Sequence, residues 1–225
     1  MSLGVLLQRA DLWRGGGASP AAGEGLASGF PELDASLPGG GWPRAALTEI
    51  LASRQGSGGL SLVLPALARL SRRRRWLAWV APPHVPYAPA LARAGVELSR
   101  VLLVHPRTAE EGLWAVEQAL RSGTCSAVLA WLEGGGSRGM RRLQLAAEAG
   151  GTWGVLFRPA RAAREASPAA LRLRLEPAPR GVAVHILKRR GGWATGPLRL
   201  ELDRVMAVPA SAPAAAGDPH PGRGR

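Results

Sequence analysis

The sequence predicts an α/β fold in which a mainly parallel central sheet is flanked by helices and ends in antiparallel strands. Up to Arg158, short apolar runs alternate with helical stretches, as expected for a parallel sheet covered on both faces. After Arg158, apolar residues occupy every second position, which is typical of strands with one solvated face. We therefore expect right-handed strand–helix–strand crossovers followed by an antiparallel set.

The individual elements follow from these patterns. Five strands are predicted in the parallel part, at Ala46–Leu51, Trp76–Val80, Val101–Val104, Ala127–Leu132 and Trp153–Phe157. The predicted helices are Leu60–Ser71, a short one within Pro86–Gly95, one from Thr108 to about Ser122, and Arg138–Ala149. The antiparallel strands are predicted at Leu171–Leu175, Gly181–Lys188 and Leu198–Leu202. Thr108 and Glu111 have capping-box spacing, and Pro65 indicates a kink or a later start in the first helix.

This pattern predicts one core domain, residues 28–206, between two segments of different composition. Residues 1–27 are predicted to be an N-terminal arm or linker, and residues 207–225, rich in Pro, Ala and Gly, a disordered tail. No apolar run is long enough to cross a bilayer, and the first residues do not resemble a signal peptide. A single cysteine, Cys125, fits a reducing compartment. We expect a cytoplasmic protein that does not contact a membrane.

The chain has a formal net charge of +13, carried almost wholly by arginine. Such a charge attracts nucleic acid through its phosphates, so DNA is a possible partner. Ala, Gly, Pro and Arg all have GC-rich codons, and a GC-rich genome would enrich all four together. Both interpretations stay open.

A glycine-rich loop follows the first strand, where a phosphate-binding loop would lie. In P-loop proteins a lysine after the loop glycines reaches the terminal phosphates, and a Ser or Thr hydroxyl holds magnesium. If Gly58 is the last loop glycine, Gly59 and Leu60 occupy those two positions. We interpret Gly56, Ser57, Gly58 and Gly59 as a degenerate loop that turns the chain without binding phosphate. The sequence therefore predicts no cofactor.

The acidic residues that a P-loop ATPase requires are also missing. The strand Ala127–Leu132 ends in apolar residues, with Glu133 beyond it, and the second strand leads into Ala81-Pro82-Pro83-His84. The histidines have no metal-ligand spacing. We predict that the protein is not an enzyme.

Two kinds of residue are candidates for an interaction surface. Arg72, Arg73, Arg74 and Arg75 follow the first helix and suit an acidic partner or DNA, although such a run is also typical of a solvated turn. Trp42 and Trp193 lie in Gly-rich turns and are candidate exposed anchors, whereas tryptophans within strands are predicted to lie in the core, namely Trp76, Trp79, Trp131 and Trp153.

Several segments resemble known families. The run Ser28–Asp34, followed by Leu37–Ile50, resembles the segment that leads into the RecA ATPase core. Four strand segments resemble the SulA/ImuA group: Leu47–Leu51, Arg75–Pro83, Ala127–Leu132 and Gly154–Pro159. Within that group Pro82–Pro89 and Ile186–Gly192 are most similar to ImuA. The resemblance extends from about Ser28 to Leu202 and implies a RecA-like core.

The resemblance to ImuA implies a non-catalytic accessory protein of SOS-induced translesion DNA synthesis, which acts after DNA damage through protein contacts. Its implied partners are an ImuB-type Y-family-like protein, RecA and, indirectly, an error-prone DnaE-type polymerase. The alternative is a SulA-like cell-division inhibitor that blocks polymerisation of the tubulin-like protein FtsZ. A third possibility, an active RecA-like recombinase, conflicts with the missing lysine.

Comparison with RecA adds two groups of basic residues to the candidate surface. Arg158 and Arg161 lie near the segment that corresponds to a DNA-binding loop of RecA, which is short here. Lys188, Arg189 and Arg190 lie in a strand whose basic residues in RecA face a neighbouring subunit, so they are interface candidates.

Overall fold

The computed structural model describes residues 25–54, 56–190 and 196–202. Within these ranges the strands are β1 (Leu47–Ala52), β2 (Trp76–Val80), β3 (Val101–Val104), β4 (Cys125–Trp131), β5 (Trp153–Pro159), β6 (Leu171–Ala178), β7 (Gly181–Arg189) and β8 (Leu198–Glu201). They form one sheet in the order β3-β2-β4-β5-β1-β6-β7-β8. The pairs from β3 to β6 are parallel, and β7 is antiparallel to both β6 and β8. The predicted mixed α/β sheet is confirmed.

Helices connect the parallel strands in the predicted places. They are α2 (Gly59–Ser71), α3 (Ala88–Arg93), α4 (Ala109–Arg121) and α5 (Gly136–Gly150), whereas the short helix α1 (Pro31–Ser36), which was not predicted, precedes β1. Pro65 lies inside α2, which begins at Gly59, so the later start suggested by this proline is wrong. Among the described residues, no helix has the length and apolar character needed to span a membrane.

The predicted cap of α4 is present. The hydroxyl of Thr108 accepts a hydrogen bond from the backbone N–H of Glu111 at 3.1 Å. The Glu111 carboxylate accepts from the backbone N–H of Arg107 at 2.8 Å and from its guanidinium at 3.0 Å. These two bonds hold the pKa of Glu111 below its ordinary value. In a standard capping box the Glu111 carboxylate would accept from the backbone N–H of Thr108, the N-cap residue. Here it accepts from the backbone N–H of Arg107, one residue earlier in the chain.

Each face of the sheet carries its own apolar core. On one face α2 packs with Trp79, Trp153 and the apolar side chains of β6 and β7. On the other face α4 and α5 cover the alternate residues of β2, β4 and β5, such as Val80, Val128 and Leu156. Burial on both faces explains why the parallel strands are continuous apolar runs.

Two tryptophans differ from the sequence prediction. Trp42 is fully buried rather than an exposed anchor, because Gly39–Gly41 turns the chain back and Trp42 pairs with Leu26 through two backbone hydrogen bonds. Its ring stacks on Trp153 with the centroids 5.5 Å apart. Trp76 was predicted to be a core residue but is 41% exposed, since it begins β2 at the end of the sheet.

Candidate functional site

A cleft of about 720 Å³ opens at the carboxyl ends of β1, β2, β4 and β5. Its walls come from the ends of these four strands and the loops that follow them, at residues 53–54, 56–59, 81–86, 131–133, 157–159 and 161. In open parallel sheets this edge is where ligands bind, because the loops after the strands converge there. The predicted phosphate-loop segment therefore forms part of the wall of this cleft.

The loop after β1 is shaped by two glycines with left-handed backbone. Gly56 and Gly58 both have φ near 81°, and the Gly58 carbonyl accepts the first hydrogen bond of α2, from Leu62. The hydroxyl of Ser57 donates to the carbonyl of Arg54 at 2.5 Å and so closes the loop on itself. Ser57 is thus used within the loop.

The position that would carry the phosphate-binding lysine is tightly packed. A Cβ atom on Gly59 would lie 3.2 Å from Cε1 of Phe157 and 3.3 Å from Cγ2 of Ile50. A longer side chain at this position would have to displace a neighbour before it could reach into the cleft. The glycine is therefore part of the packing of this loop.

Aromatic side chains form one wall of the cleft. Trp131 stacks on Phe157, with ring centroids 4.7 Å apart, and its other neighbour is the tilted ring of Trp79 at 5.8 Å. Trp79 is buried, whereas Trp131 and Phe157 are partly exposed. Where a nucleotide enzyme presents polar groups, this cleft presents a stacked apolar surface.

The exposed charged groups of the cleft lie at its rim, while Arg158, which also lines it, is buried. Glu133 is exposed and supplies the one carboxylate among the described lining residues, while Arg54 and Arg161 are exposed cations. No cluster of three or more His, Cys, Asp or Glu residues in the described part of the chain could hold a metal ion. The cleft can therefore offer apolar contact and positive charge to a ligand.

Arg158, predicted as a basic surface residue, is buried in an ion-pair network. Its guanidinium lies 3.0 Å from the carboxylate of Glu49 and 2.7 Å from that of Glu165. The guanidinium of Arg172 contacts Glu49 at 2.5 Å and donates to the carbonyls of Ala162 and Glu165 at 2.7 and 3.0 Å. Glu49 has no exposed surface, so the two arginines compensate for its burial. These contacts hold the segment that follows β5 against the sheet.

Sequence reasoning missed this network. Glu49 lies in the apolar strand β1, and Arg158 and Arg172 lie in the two strands that flank β1 in the sheet. A charged residue within an apolar strand was the available signal, because a buried charge requires a partner. The partners could not be identified without the order of the strands.

Arg72, Arg73, Arg74 and Arg75 are all exposed, as the prediction of an interaction surface requires. They take part in none of the ion pairs found among the described residues. The partly exposed ring of Trp76 follows them directly. We refer to residues 72–76 as the basic patch.

The basic residues at the end of β7 are each engaged within the chain. Lys188 donates to the carbonyl of Ser167 at 2.7 Å, and Arg189 donates to the carbonyl of Ser36. Arg190 pairs with Glu148 at 3.1 Å. These contacts occupy the side chains that were predicted to face a partner, and Trp193 lies outside the described residues.

Residues 46–154 match a family model. The family is the cell division inhibitor SulA. The matched segment runs from the residue before β1 into β5, so it includes the degenerate loop, the basic patch and most of the cleft.

Individual SulA proteins are also similar in sequence to this chain. SulA of Edwardsiella piscicida is 41% identical over 101 residues, which are 44% of this chain and 60% of that protein. SulA of Pectobacterium atrosepticum is 35% identical over 106 residues, 47% of this chain and 63% of that protein. The chain thus covers about three fifths of these relatives. The crystal structure of SulA from Pseudomonas aeruginosa has 30% identity and a TM-score of 0.43, with 50% of this chain and 97% of that one covered.

These similarities correct the function that the sequence suggested first. The main prediction was an ImuA-type protein of translesion DNA synthesis, with ImuB, RecA and a DnaE-type polymerase as partners. The matched family and the named relatives are SulA, so the prediction of ImuA, its role in translesion synthesis and its partners is wrong. The similarity favours the alternative, a cell-division inhibitor.

Proposed function

We propose that this chain is a SulA-type inhibitor of bacterial cell division, made during the SOS response to DNA damage. The observation that carries the proposal is the similarity to SulA over residues 46–154. We infer that the chain acts by binding FtsZ and holding it out of the filament, and that it works in the cytoplasm, where FtsZ assembles.

The chemistry of the cleft supports a binding role without catalysis. Gly59 and Leu60 stand where a P-loop enzyme has its lysine and its magnesium-binding hydroxyl. The buried carboxylate of Glu49 is engaged by Arg158 and Arg172, and so it is not free to act as a base. The proposed mechanism is therefore mass action: a bound partner is removed from the pool that polymerises.

The finer assignment of the fold belongs to the same proposal. We propose that residues 28–206 form a RecA-like core whose nucleotide loop has degenerated, with residues 1–27 as an arm and residues 207–225 as a tail. The parallel strands with a glycine-rich loop after β1, followed by the antiparallel β7 and β8, support it. A RecA-like core that does not bind phosphate acts through contacts made by the surface of the domain.

We propose the basic patch as the surface that contacts the partner. Four adjacent exposed arginines repel one another, and an acidic surface would relieve that repulsion while speeding encounter. The exposed ring of Trp76 adds an apolar contact beside the charges, a combination enriched in binding hot spots. The patch therefore suits an acidic protein partner.

The proposal is tested with purified protein and FtsZ. Sedimentation of FtsZ polymers in GTP should show less pelleted FtsZ as the chain is added, and overproduction in cells should give long filaments without division rings. R73E/R74E should weaken inhibition by roughly tenfold or more, because two charges are reversed in the contact. R138E/R141E makes the same charge change on exposed arginines of α5 and should inhibit like the unmodified chain.

Each part of the proposal has its own contradicting result. Normal FtsZ polymerisation and normal cell length at excess protein would exclude the function itself. Full inhibition by R73E/R74E would leave the function standing but exclude the basic patch as its surface. Magnesium-dependent ATP hydrolysis by the purified chain would contradict the non-catalytic mechanism.

A further inference from the structure

The first turn of α2 opens into the cleft with three backbone N–H groups that have no partner within the helix. The first hydrogen bond of α2 joins the N–H of Leu62 to the carbonyl of Gly58, so the N–H groups of residues 59–61 lie ahead of the helical ladder. Gly58 provides no side-chain cap, the first turn contains no acidic residue, and residues 59–61 all line the cleft. An uncapped helix start of this kind favours a negatively charged ligand.

A buried hydrogen-bond donor belongs to the wall of the same cleft. Trp79 lines the cleft and has only 1% of its surface exposed, and its Nε1 has no hydrogen-bond partner among the described residues. Buried N–H groups in folded proteins are nearly always paired, because an unpaired one loses the hydrogen bond that water would make. This donor therefore indicates a ligand that brings its own acceptor.

A continuous row of contacts joins the start of α2 to this donor. A Cβ atom on Gly59 would lie 3.2 Å from the ring of Phe157. Phe157 stacks on Trp131, whose other neighbour is Trp79, and all three rings belong to the core on the α2 face of the sheet. Their strands follow one another in the order β1, β5, β4 and β2, so β1 and β4 are two strand spacings apart, about 10 Å. One elongated small molecule can span that distance.

The middle of this row favours an aromatic ligand. Trp131 and Phe157 are partly exposed where they line the cleft, and an aromatic ring packed against them buries apolar surface on both sides of the contact. Sites for small molecules typically measure roughly 300–1,000 Å³ and combine apolar walls with a few polar groups. The cleft, at about 720 Å³, has that size and that lining.

The charges at the rim favour an anion. Arg54 and Arg161 are exposed, line the cleft and take part in none of the ion pairs found within the described ranges, and Glu133 is the one exposed carboxylate beside them. A carboxylate suits such a site, because backbone N–H groups and guanidinium groups bind it without the lysine and magnesium that nucleotide phosphates require.

We propose that the cleft binds a small aromatic carboxylate. The carboxylate lies at the first turn of α2, near the positive charges of the rim, and the ring packs against Phe157 and Trp131. A polar atom at the far end of the ring accepts the hydrogen bond of Trp79 Nε1. This binding site is separate from the basic patch, and the inference does not depend on the role in cell division.

The first test titrates the full-length chain with 6-hydroxy-2-naphthoate, which carries a carboxylate and a hydroxyl at opposite ends of an aromatic ring system. Nitrogen-15 NMR resolves the indole N–H signals, and W79F, W131F and W114F assign three of them. The signals of Trp79 and Trp131 should shift, whereas that of Trp114, which is 63% exposed on α4, should stay in place. Unchanged signals of Trp79 and Trp131, or an equal shift of Trp114, would overturn the proposal.

The second test removes one group of the probe at a time and measures binding by calorimetry. 2-Naphthol, which lacks the carboxylate, and 2-naphthoate, which lacks the hydroxyl, should each bind the unmodified chain about tenfold more weakly than the full probe. Equal binding of either compound would contradict the proposed contacts. Inorganic phosphate, which has no ring, should bind more weakly still, and binding as tight as that of the probe would overturn the aromatic ligand.

The third test changes the cleft and keeps the probe. R54E/R161E reverses two exposed charges at the rim and should weaken binding by about tenfold or more. R138E/R141E makes the same change on exposed arginines of α5 that do not line the cleft, and should bind like the unmodified chain. R73E/R74E should also bind the probe normally, which separates this site from the inhibition of FtsZ. Equal affinities of R54E/R161E and R138E/R141E would exclude the cleft as the site.

Discussion

Arg158 and Glu49 form an ion pair of 3.0 Å although they are 109 residues apart in the chain, and neither side chain has more than 2% of its surface exposed. β1 and β5 are neighbours in the sheet and place the two residues on the same face. Arg172, on the other side of β1, completes the compensation of the buried carboxylate.

Substitution of Glu49 should destabilise the fold strongly. E49Q removes the carboxylate that pairs with Arg172 and leaves Arg158 with Glu165 alone, and breaking a buried pair in this way typically costs about 3–5 kcal/mol. Urea denaturation measures the loss in the free energy of unfolding. E32Q, on an exposed residue of α1, is the matched control and should change stability by less than about 0.5 kcal/mol. Equal stabilities of E49Q and E32Q would show that the network contributes nothing.

The pKa of Lys188 should lie below its ordinary value of 10.5, since burial and the nearby charge of Arg172 both disfavour the ammonium. Lys188 is the only lysine, so carbon-13-labelled lysine gives one NMR signal to titrate. In the pH range between the folded pKa and 10.5 the unfolded chain binds more protons, and this group's contribution to stability rises with pH. K188M should remove that part of the pH dependence. A midpoint at or above 10.5 would contradict the prediction.

Removing the N-terminal cap of α4 should lower the free energy of unfolding less than E49Q does. T108A removes the side-chain acceptor for the backbone N–H of Glu111 and should cost about 1 kcal/mol of unfolding free energy. S137A, at an exposed residue in the first turn of α5, changes a hydroxyl that makes no such bond and should be nearly neutral. Thermal unfolding followed by circular dichroism compares the two variants.

Restoring the missing lysine should not restore an enzyme. G59K meets Phe157 and Ile50 at once, so we expect a loss of about 1–3 kcal/mol in stability and no ATP hydrolysis. G134K, where an added Cβ meets no atom within 4 Å, should keep the stability of the unmodified chain. ATP hydrolysis by G59K would contradict this prediction, because it would show that the missing lysine is the only reason why the cleft has no ATPase activity.

The sequence by itself determined the succession of strands and helices, the cap at Thr108 and the absence of a phosphate-binding lysine. These features depend on residues close together in the chain, where apolar periodicity and loop composition act locally. The first family assignment, ImuA, rested on short motifs near Pro82 and Ile186, and it failed because the longer similarity over residues 46–154 is to SulA.

The tertiary structure decided which side chains are available at the surface. Trp42 lies in a Gly-rich turn that suggested exposure, yet it is buried because that turn brings it onto Trp153, far along the chain. Arg158 counts as a basic residue in the sequence, but its charge is compensated by Glu49. Burial and ion pairing depend on which strands become neighbours in the sheet, and the order along the chain does not contain that information.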